Sequence, residues 1–351
     1  MKLPAASILG VGAVTPLGRD LQGIFRALWE VPVTPVKRVS DEILADGEFS
    51  KHLRRADRFA RMAAIAAVDA WKNSLEIEAA RLDGPHPSPP PEYQGRGKEE
   101  VIGVRRVSMD RVGLIVSSGL GPHGRGFKFL DGVLDCGDLE GLPTDFSHSV
   151  HAAAASYITG LLDLRGPSLS ITDFEIGFEN AVLLAQCWLE RGVCDRVIVG
   201  AVEEIGEVLL ACAGKMLGDK LGLGVGKAVL GEGAFFLVLG KAEAGGKIRI
   251  SVEEPVGGCD LLLVDDPMIP DQGPPPAAKC VHSFVPAFGH SASSSAFELL
   301  GGLLSMAHGK PLGFYVDKPQ GGGVVDNATT FRTSCGQAIG LRIEKNLRFE
   351  I

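Results

Sequence analysis

A layered α/β architecture with an internal duplication is what the sequence predicts. Three observations point to it. Continuous apolar runs such as Val112–Val116 and Leu261–Val264 read as strands buried on both faces. Ala-rich stretches with helical spacing lie between such runs. A strand–turn–helix–strand module in residues 1–245 recurs, in reduced form, in residues 246–351.

Taken in order, Ala6–Val14 reads as a buried strand ending in the turn Thr15-Pro16-Leu17-Gly18, and Asp20 is placed to cap a helix reaching Leu28. Ala56–Trp71 reads as a helix whose small residues allow close approach to its neighbours. Residues 84–98 then break the pattern with Pro85, Pro87, Pro89, Pro90 and Pro91, and read as a solvated excursion. Arg111–Gly119 is a strand, and an Ala-rich helix is expected near Ser149–Leu162. A strand at Ser168–Thr172, a helix from Gly177 to Arg191 and a strand at Arg196–Ala201 form a β-α-β unit, hence parallel strands. Gly231–Leu239 and Leu261–Val264 are strand-like, Ser291–Ala307 has helical spacing, and strands are expected at Gly313–Asp317 and Ala338–Ile343.

Composition excludes several classes. The 351 residues include 43 Asp+Glu against 35 Lys+Arg, a net charge of −8, which argues against a nucleic-acid binder. With 45% hydrophobic residues the chain is too apolar for a disordered protein. The seven cysteines are odd in number and none is spaced C-x-x-C, so reduced thiols in a cytoplasm are expected, without a zinc site. No signal-peptide run opens the sequence and no apolar stretch is long enough to span a membrane. Asp265-Asp266 has no Cys or His companion for a metal, His148 and His151 lack a Glu-x-x-His partner, and neither Gly119-Leu120-Gly121 nor Gly222-Leu223-Gly224 completes a dinucleotide fingerprint. No cofactor and no metal are expected.

Several segments, in order, resemble the β-ketoacyl synthase family, which has the thiolase fold. They are Ile8–Gly18, Arg111–Gly121, Arg165–Thr172, Asp195–Glu203, Leu230–Ala234 (compare "M-G-E-G-A") and Gly289-His290-Ser291 (compare "G-H-T"). The resemblance implies a thiolase-like duplicated fold with a C-terminal half shorter than usual. It also implies a dimer formed by pairing of strands next to the nucleophile segment. In that family a cysteine at a sharp strand-to-helix turn takes an acyl group from a carrier thioester, activated by the helix N-terminus. Two histidines stabilise the enolate of the malonyl extender, and backbone N–H groups hold the oxyanion.

At those positions this sequence departs from the family. The "T-A-C-x-x-G" segment corresponds to Thr172-Asp173-Phe174-Glu175-Ile176-Gly177, so Phe174 stands at the nucleophile position and cannot form a thioester. The first histidine has no counterpart: Asp265 marks its approximate place. His290 stands at the second-histidine position, and reads either as a hydrogen-bonded helix-start residue or as a residual carbonyl-polarising group. Ser334, Cys335 and Gly336 replace the Gly-rich oxyanion loop, and Glu175 borders the same pocket. Phe174 reads as a plug for the former nucleophile pocket or as part of a tunnel wall around an acyl chain. Asp173 and Glu175 would bring negative charge that opposes a thiolate, while Cys187 and Cys194 read as packing residues. Two functions follow from the resemblance. One is a non-condensing partner or acyl-chain-shaping subunit, homodimeric or paired with an active ketosynthase and in contact with an acyl carrier protein, in fatty acid or polyketide (aryl-polyene-like) biosynthesis. The other is an active 3-oxoacyl-carrier-protein synthase or related acyltransferase with an atypical site.

Overall fold

The computed structural model describes residues 3–28, 36–45, 51–82, 107–137, 141–220, 230–242, 246–254, 259–264, 278–309, 312, 314–315, 325–334 and 337–345. The proline-rich stretch 84–98, Asp265, Asp266, Gly222–Gly224, Cys335 and Gly336 lie outside them.

The strands are β1 (Ala6–Val14), β2 (Val36–Lys37), β3 (Val112–Ser118), β4 (Ser168–Thr172), β5 (Arg196–Glu203), β6 (Leu230–Gly231), β7 (Gly233–Gly240), β8 (Ile248–Glu253), β9 (Cys259–Val264), β10 (Ala278–Ser283), β11 (Phe314–Tyr315), β12 (Asn327–Ser334) and β13 (Gln337–Lys345). The helices are α1 (Leu21–Ala27), α2 (Asp41–Leu44), α3 (Arg58–Leu82), α4 (His123–Cys136), α5 (Pro143–Ser149), α6 (Ala153–Leu162), α7 (Gly177–Glu190), α8 (Glu207–Lys220), α9 (Val285–Phe288) and α10 (Ser294–His308).

Eleven strands form one mixed sheet in the order β11-β10-β9-β12-β13-β8-β1-β7-β5-β3-β4. The duplication is written in that order. Running outward from the centre, β1-β7-β5-β3-β4 pair antiparallel, antiparallel, parallel, parallel. On the other side, β8-β13-β12-β9-β10 repeat the same order and directions, and β1 joins β8 antiparallel. The expected repeat is therefore present at the level of strand topology.

Period-two alternation explains the apolar runs of the first repeat. Ile115, Val197, Val199, Phe235 and Leu237 face one cluster, which holds α7 and α10, while Leu114, Val116, Ile198, Phe236 and Val238 face a second cluster with α3. Both faces of this part of the sheet are covered, so both sets of positions must be apolar. Helix α3 lies close on β1 because Gly10 and Gly12 have no side chain. A Cβ at Gly12 would stand 2.2 Å from the Ala66 carbonyl oxygen. The second repeat is shorter for a definite reason. Between β1 and β3 the chain builds α3, whereas only residues 254–258 link β8 to β9. The outward face there carries a small cluster, Cys259, Leu262, Val264 and Phe331.

Two differences from the sequence reading have physical causes. The helix expected over Ala56–Trp71 continues to Leu82, through a stretch whose last turns are more exposed and polar. Strand β12 was not expected because its segment, Asn-Ala-Thr-Thr-Phe-Arg-Thr-Ser, is polar, yet Thr329, Thr330 and Arg332 are buried.

Candidate functional site at the strand-to-helix turn

Parallel strands β4, β3 and β5 end on the same side of the sheet, with Ser118 opposite Thr172 and Ser117 opposite Ala201. Ligands of open α/β sheets bind at such carboxyl ends. The residues that follow, Asp173–Ile176 and Gly119–Gly121, converge there with Glu203.

The turn between β4 and α7 is held by Asp173. Its Oδ1 accepts from the backbone N–H of Glu175 at 2.8 Å and of Ile176 at 2.9 Å. The carboxylate thus takes the two backbone donors just before α7 and sets its negative charge beside the start of that helix. No side-chain bond caps Ile176, the residue before the helix, so Asp173 supplies the polar closure of the turn. Phe174 sits at its tip with 63% of its surface exposed. That corrects the plug reading: the ring does not fill a pocket within this chain.

The second repeat closes on the first at this point. From β12, Arg332 Nη1 donates to the Glu175 carbonyl at 2.5 Å and to the Ala292 carbonyl at 3.2 Å. A Cβ on Gly119 would stand 2.2 Å from the Ala292 Cβ, so only glycine permits this approach. Glu203, fully buried, ties both sides. Its Oε1 accepts from Gly119 N–H at 2.5 Å and from the Ser293 hydroxyl at 2.7 Å, and its Oε2 from the Ser118 hydroxyl at 3.2 Å and Leu120 N–H at 3.4 Å. Burial pushes the Glu203 carboxyl up, and these four donors pull it back.

His290 precedes α10. Its carbonyl accepts from Gly231 N–H at 3.0 Å, and its Nδ1 stands 3.5 Å from the Ser294 hydroxyl. A serine beside a histidine at a helix start invites a nucleophile reading. The geometry opposes it: the Ser294 hydroxyl donates to the Ser291 carbonyl at 2.7 Å and accepts from Ser291 N–H at 2.8 Å. That closed pair of bonds makes Ser294 a turn-forming residue. Ser334 ends β12, two residues beyond Arg332, while Asp265, Cys335 and Gly336 are not among the described residues. The structure therefore brings Phe174, Glu175 and the turn after His290 together through Arg332.

A second buried acidic cluster lies behind the Gly119–Gly121 loop. Glu204 accepts from Gly124 N–H at 2.8 Å. Its carboxyl is pushed up to about 7, first by burial and then by the nearby Asp57 and Glu232, against the pull of Gly124 N–H and Arg58. His123 stands 3.9 Å away, and its Nε2 accepts from Gly206 N–H at 3.0 Å, which leaves Nδ1 to carry the proton toward the Gly121 carbonyl. Burial lowers its basicity further. Glu232 completes the cluster: it pairs with Arg58 and accepts from Val39 N–H at 2.9 Å and Ile205 N–H at 3.0 Å. Gly121, at φ +62°, lies against the His151 ring, where a Cβ would stand 2.5 Å from that ring.

Sequence reasoning missed Arg332, Glu203, Glu204 and His123. A signal for two of them existed: Glu203-Glu204 closes an apolar strand, where a carboxylate enters the interior only with dedicated partners. Cys194 is fully buried and Cys187 half-buried, in keeping with packing roles. No cluster of His, Cys, Asp and Glu among the described residues is arranged to hold a metal, and no described helix is long and apolar enough to cross a membrane.

The fold is that of the ketosynthases. A type II polyketide synthase ketosynthase, solved with its acyl-carrier protein as the AntDE:AntF complex, superposes with a TM-score of 0.70 at 16% identity over 99% of this chain and 100% of that one. A β-ketoacyl synthase from Burkholderia phymatum STM815 gives 0.69 at 14% identity over 99% and 100%, and the ishigamide ketosynthase/chain length factor gives 0.66 at 14% over 97% and 99%. The sequence matches no family model and no curated protein.

Proposed function

We propose that this chain is a non-condensing ketosynthase-fold subunit acting in polyketide or fatty-acid synthesis, where it pairs with an active ketosynthase and shapes the space in which the acyl chain grows. The observation that carries the reading is the turn before α7. Phe174 stands at the nucleophile position, and the Asp173 carboxylate takes the N–H groups of Glu175 and Ile176. Phe174 offers no sulfur there, and the Asp173 carboxylate beside it brings negative charge that opposes a thiolate. The likeness to structures described as a ketosynthase with its acyl-carrier protein and as a ketosynthase/chain length factor supports the choice of partners. Residues 1–245 and 246–351 serve as the two halves of the subunit.

The dimer reading is supported by β4. It closes one edge of the sheet, its Leu169 is 44% exposed, and Phe174 beyond its end is exposed too. An open strand edge with apolar side chains is a template for pairing with another chain. The wild-type chain is expected to sediment as a dimer, alone or with a ketosynthase, and Leu169→Asp as a monomer with unchanged circular dichroism. A wild-type monomer that captures no ketosynthase would refute the pairing.

Restoring sulfur tests the chemical claim. Phe174→Cys is expected to give no chain extension with acyl- and malonyl-loaded carrier protein, because the Asp173 carboxylate still occupies the turn and the first histidine is absent. Measurable extension by this single variant would return the chain to the active synthases.

A further inference from the structure

The end of α10 remote from His290 opens onto a cavity of about 480 Å³. Its walls are Ile8 and Val11 of β1, Leu21 of α1, and Leu300, Leu303 and Leu304 of α10. Leu300 lies six residues beyond Ser294, so the cavity starts about 9 Å down the helix from the turn at its N-terminus. It is a place apart from the strand-to-helix turn described above, and it bears on the protein whether or not the chain condenses acyl groups.

The cavity is open to solvent on one side and falls within the size range of small-ligand pockets. Its lining is largely apolar, so a hydrocarbon that enters it removes apolar surface from water on both sides. Among the described lining residues Lys247 is the one charged side chain, and it is exposed to solvent. Ile77 and Ala80, in the last turns of α3, are exposed as well, so these three residues stand at the mouth. A local cause is visible in β1, whose pairing with β7 shifts register between Ile8 and Gly10 at the cavity wall. An apolar chamber with one ammonium group at its entrance is complementary to a hydrocarbon tail carrying an anionic head. The run from Leu300 to Ala307 spans about 10 Å, the length of about eight methylenes.

We propose that this cavity binds a medium-chain fatty carboxylate, its tail along α10 and its head paired with Lys247. Titration calorimetry of the full chain with decanoate is expected to show one site with a dissociation constant of about 10 μM. Ala80→Trp, a change at an exposed helix position that blocks the mouth, is expected to weaken binding by about tenfold or more. Leu304→Phe, which fills the chamber, should do the same if it folds, and Ala80→Trp decides the matter alone if it does not. Lys247→Gln should weaken decanoate about fivefold, the range of an exposed ion pair, while leaving decanol unchanged. Absence of a binding isotherm, or wild-type affinity in Ala80→Trp, would overturn the proposal, and equal losses for decanoate and decanol in Lys247→Gln would overturn the ion pair.

Discussion

Glu203→Ala is expected to destabilise the protein by about 4 kcal/mol, lowering the melting temperature by roughly 5 °C. Four donors lose their acceptor at once: the N–H groups of Gly119 and Leu120 and the hydroxyls of Ser118 and Ser293. The site is fully buried, so water does not replace the lost bonds without opening the structure. The alanine also removes the tie between the loop after β3 and the start of α10, which meet at Gly119 and Ala292. Ser293→Ala removes one of the four bonds and should cost about 1 kcal/mol. Glu203→Gln keeps one acceptor oxygen but turns an amide donor toward other donors, so it should fall between the two. Chemical denaturation of the three variants checks the order. A Glu203→Ala variant as stable as the Ser293→Ala protein would remove this carboxylate from the account of how the two repeats meet.

Glu204→Gln should have the opposite sign. The folded-state carboxyl is raised to about 7 from an ordinary value of 4.5. Below 4.5 both folded and unfolded forms are protonated and the group contributes no difference. Between 4.5 and about 7 the unfolded chain ionises while the folded chain holds its proton, so stability falls as pH rises. Above 7 the penalty is constant, about 3 kcal/mol at most. Glutamine imitates the protonated acid, offering a donor and an acceptor, and it retains the bond from Gly124 N–H. The variant should therefore match the wild type near pH 4.5 and exceed its stability by about 3 kcal/mol at pH 8. Paired denaturation curves at the two pH values provide the check. A variant less stable at pH 8 would mean that Glu204 is held as a needed anion, with His123 as its counter-charge.

Much of the strand framework was legible because the first repeat is buried on both faces. Runs such as Val112–Val116 and Phe235–Leu239 have no polar alternative, and the Asp20 cap and the Gly177 helix start are local signals that tertiary contacts did not override. What was not legible depends on pairs distant in sequence. Strand β12 carries threonines and an arginine because its neighbours supply partners: Thr330 Oγ1 accepts from Leu341 N–H at 2.9 Å, and Arg332 reaches carbonyls at 175 and 292. Helix α4 contains Gly124, Gly126 and Gly132, so propensity argued against it. At the site, Phe174 and His290 were visible by their place in motifs. The turn's polar closure by Asp173 was only half visible: its charge could be read, but not that its oxygen takes two backbone donors. The exposure of Phe174 had no sequence signal, because a phenylalanine after a strand reads equally well as buried.

Whether the chain has a competent nucleophile is tested most directly by intact-mass spectrometry of the full wild-type chain after incubation with an excess of acyl-loaded carrier protein. The unmodified mass alone is expected. A mass increase equal to the acyl group, mapped by proteolysis to Thr172–Gly177 or to Cys335, would show that the chain carries its own acyl-accepting residue and would contradict the non-condensing reading.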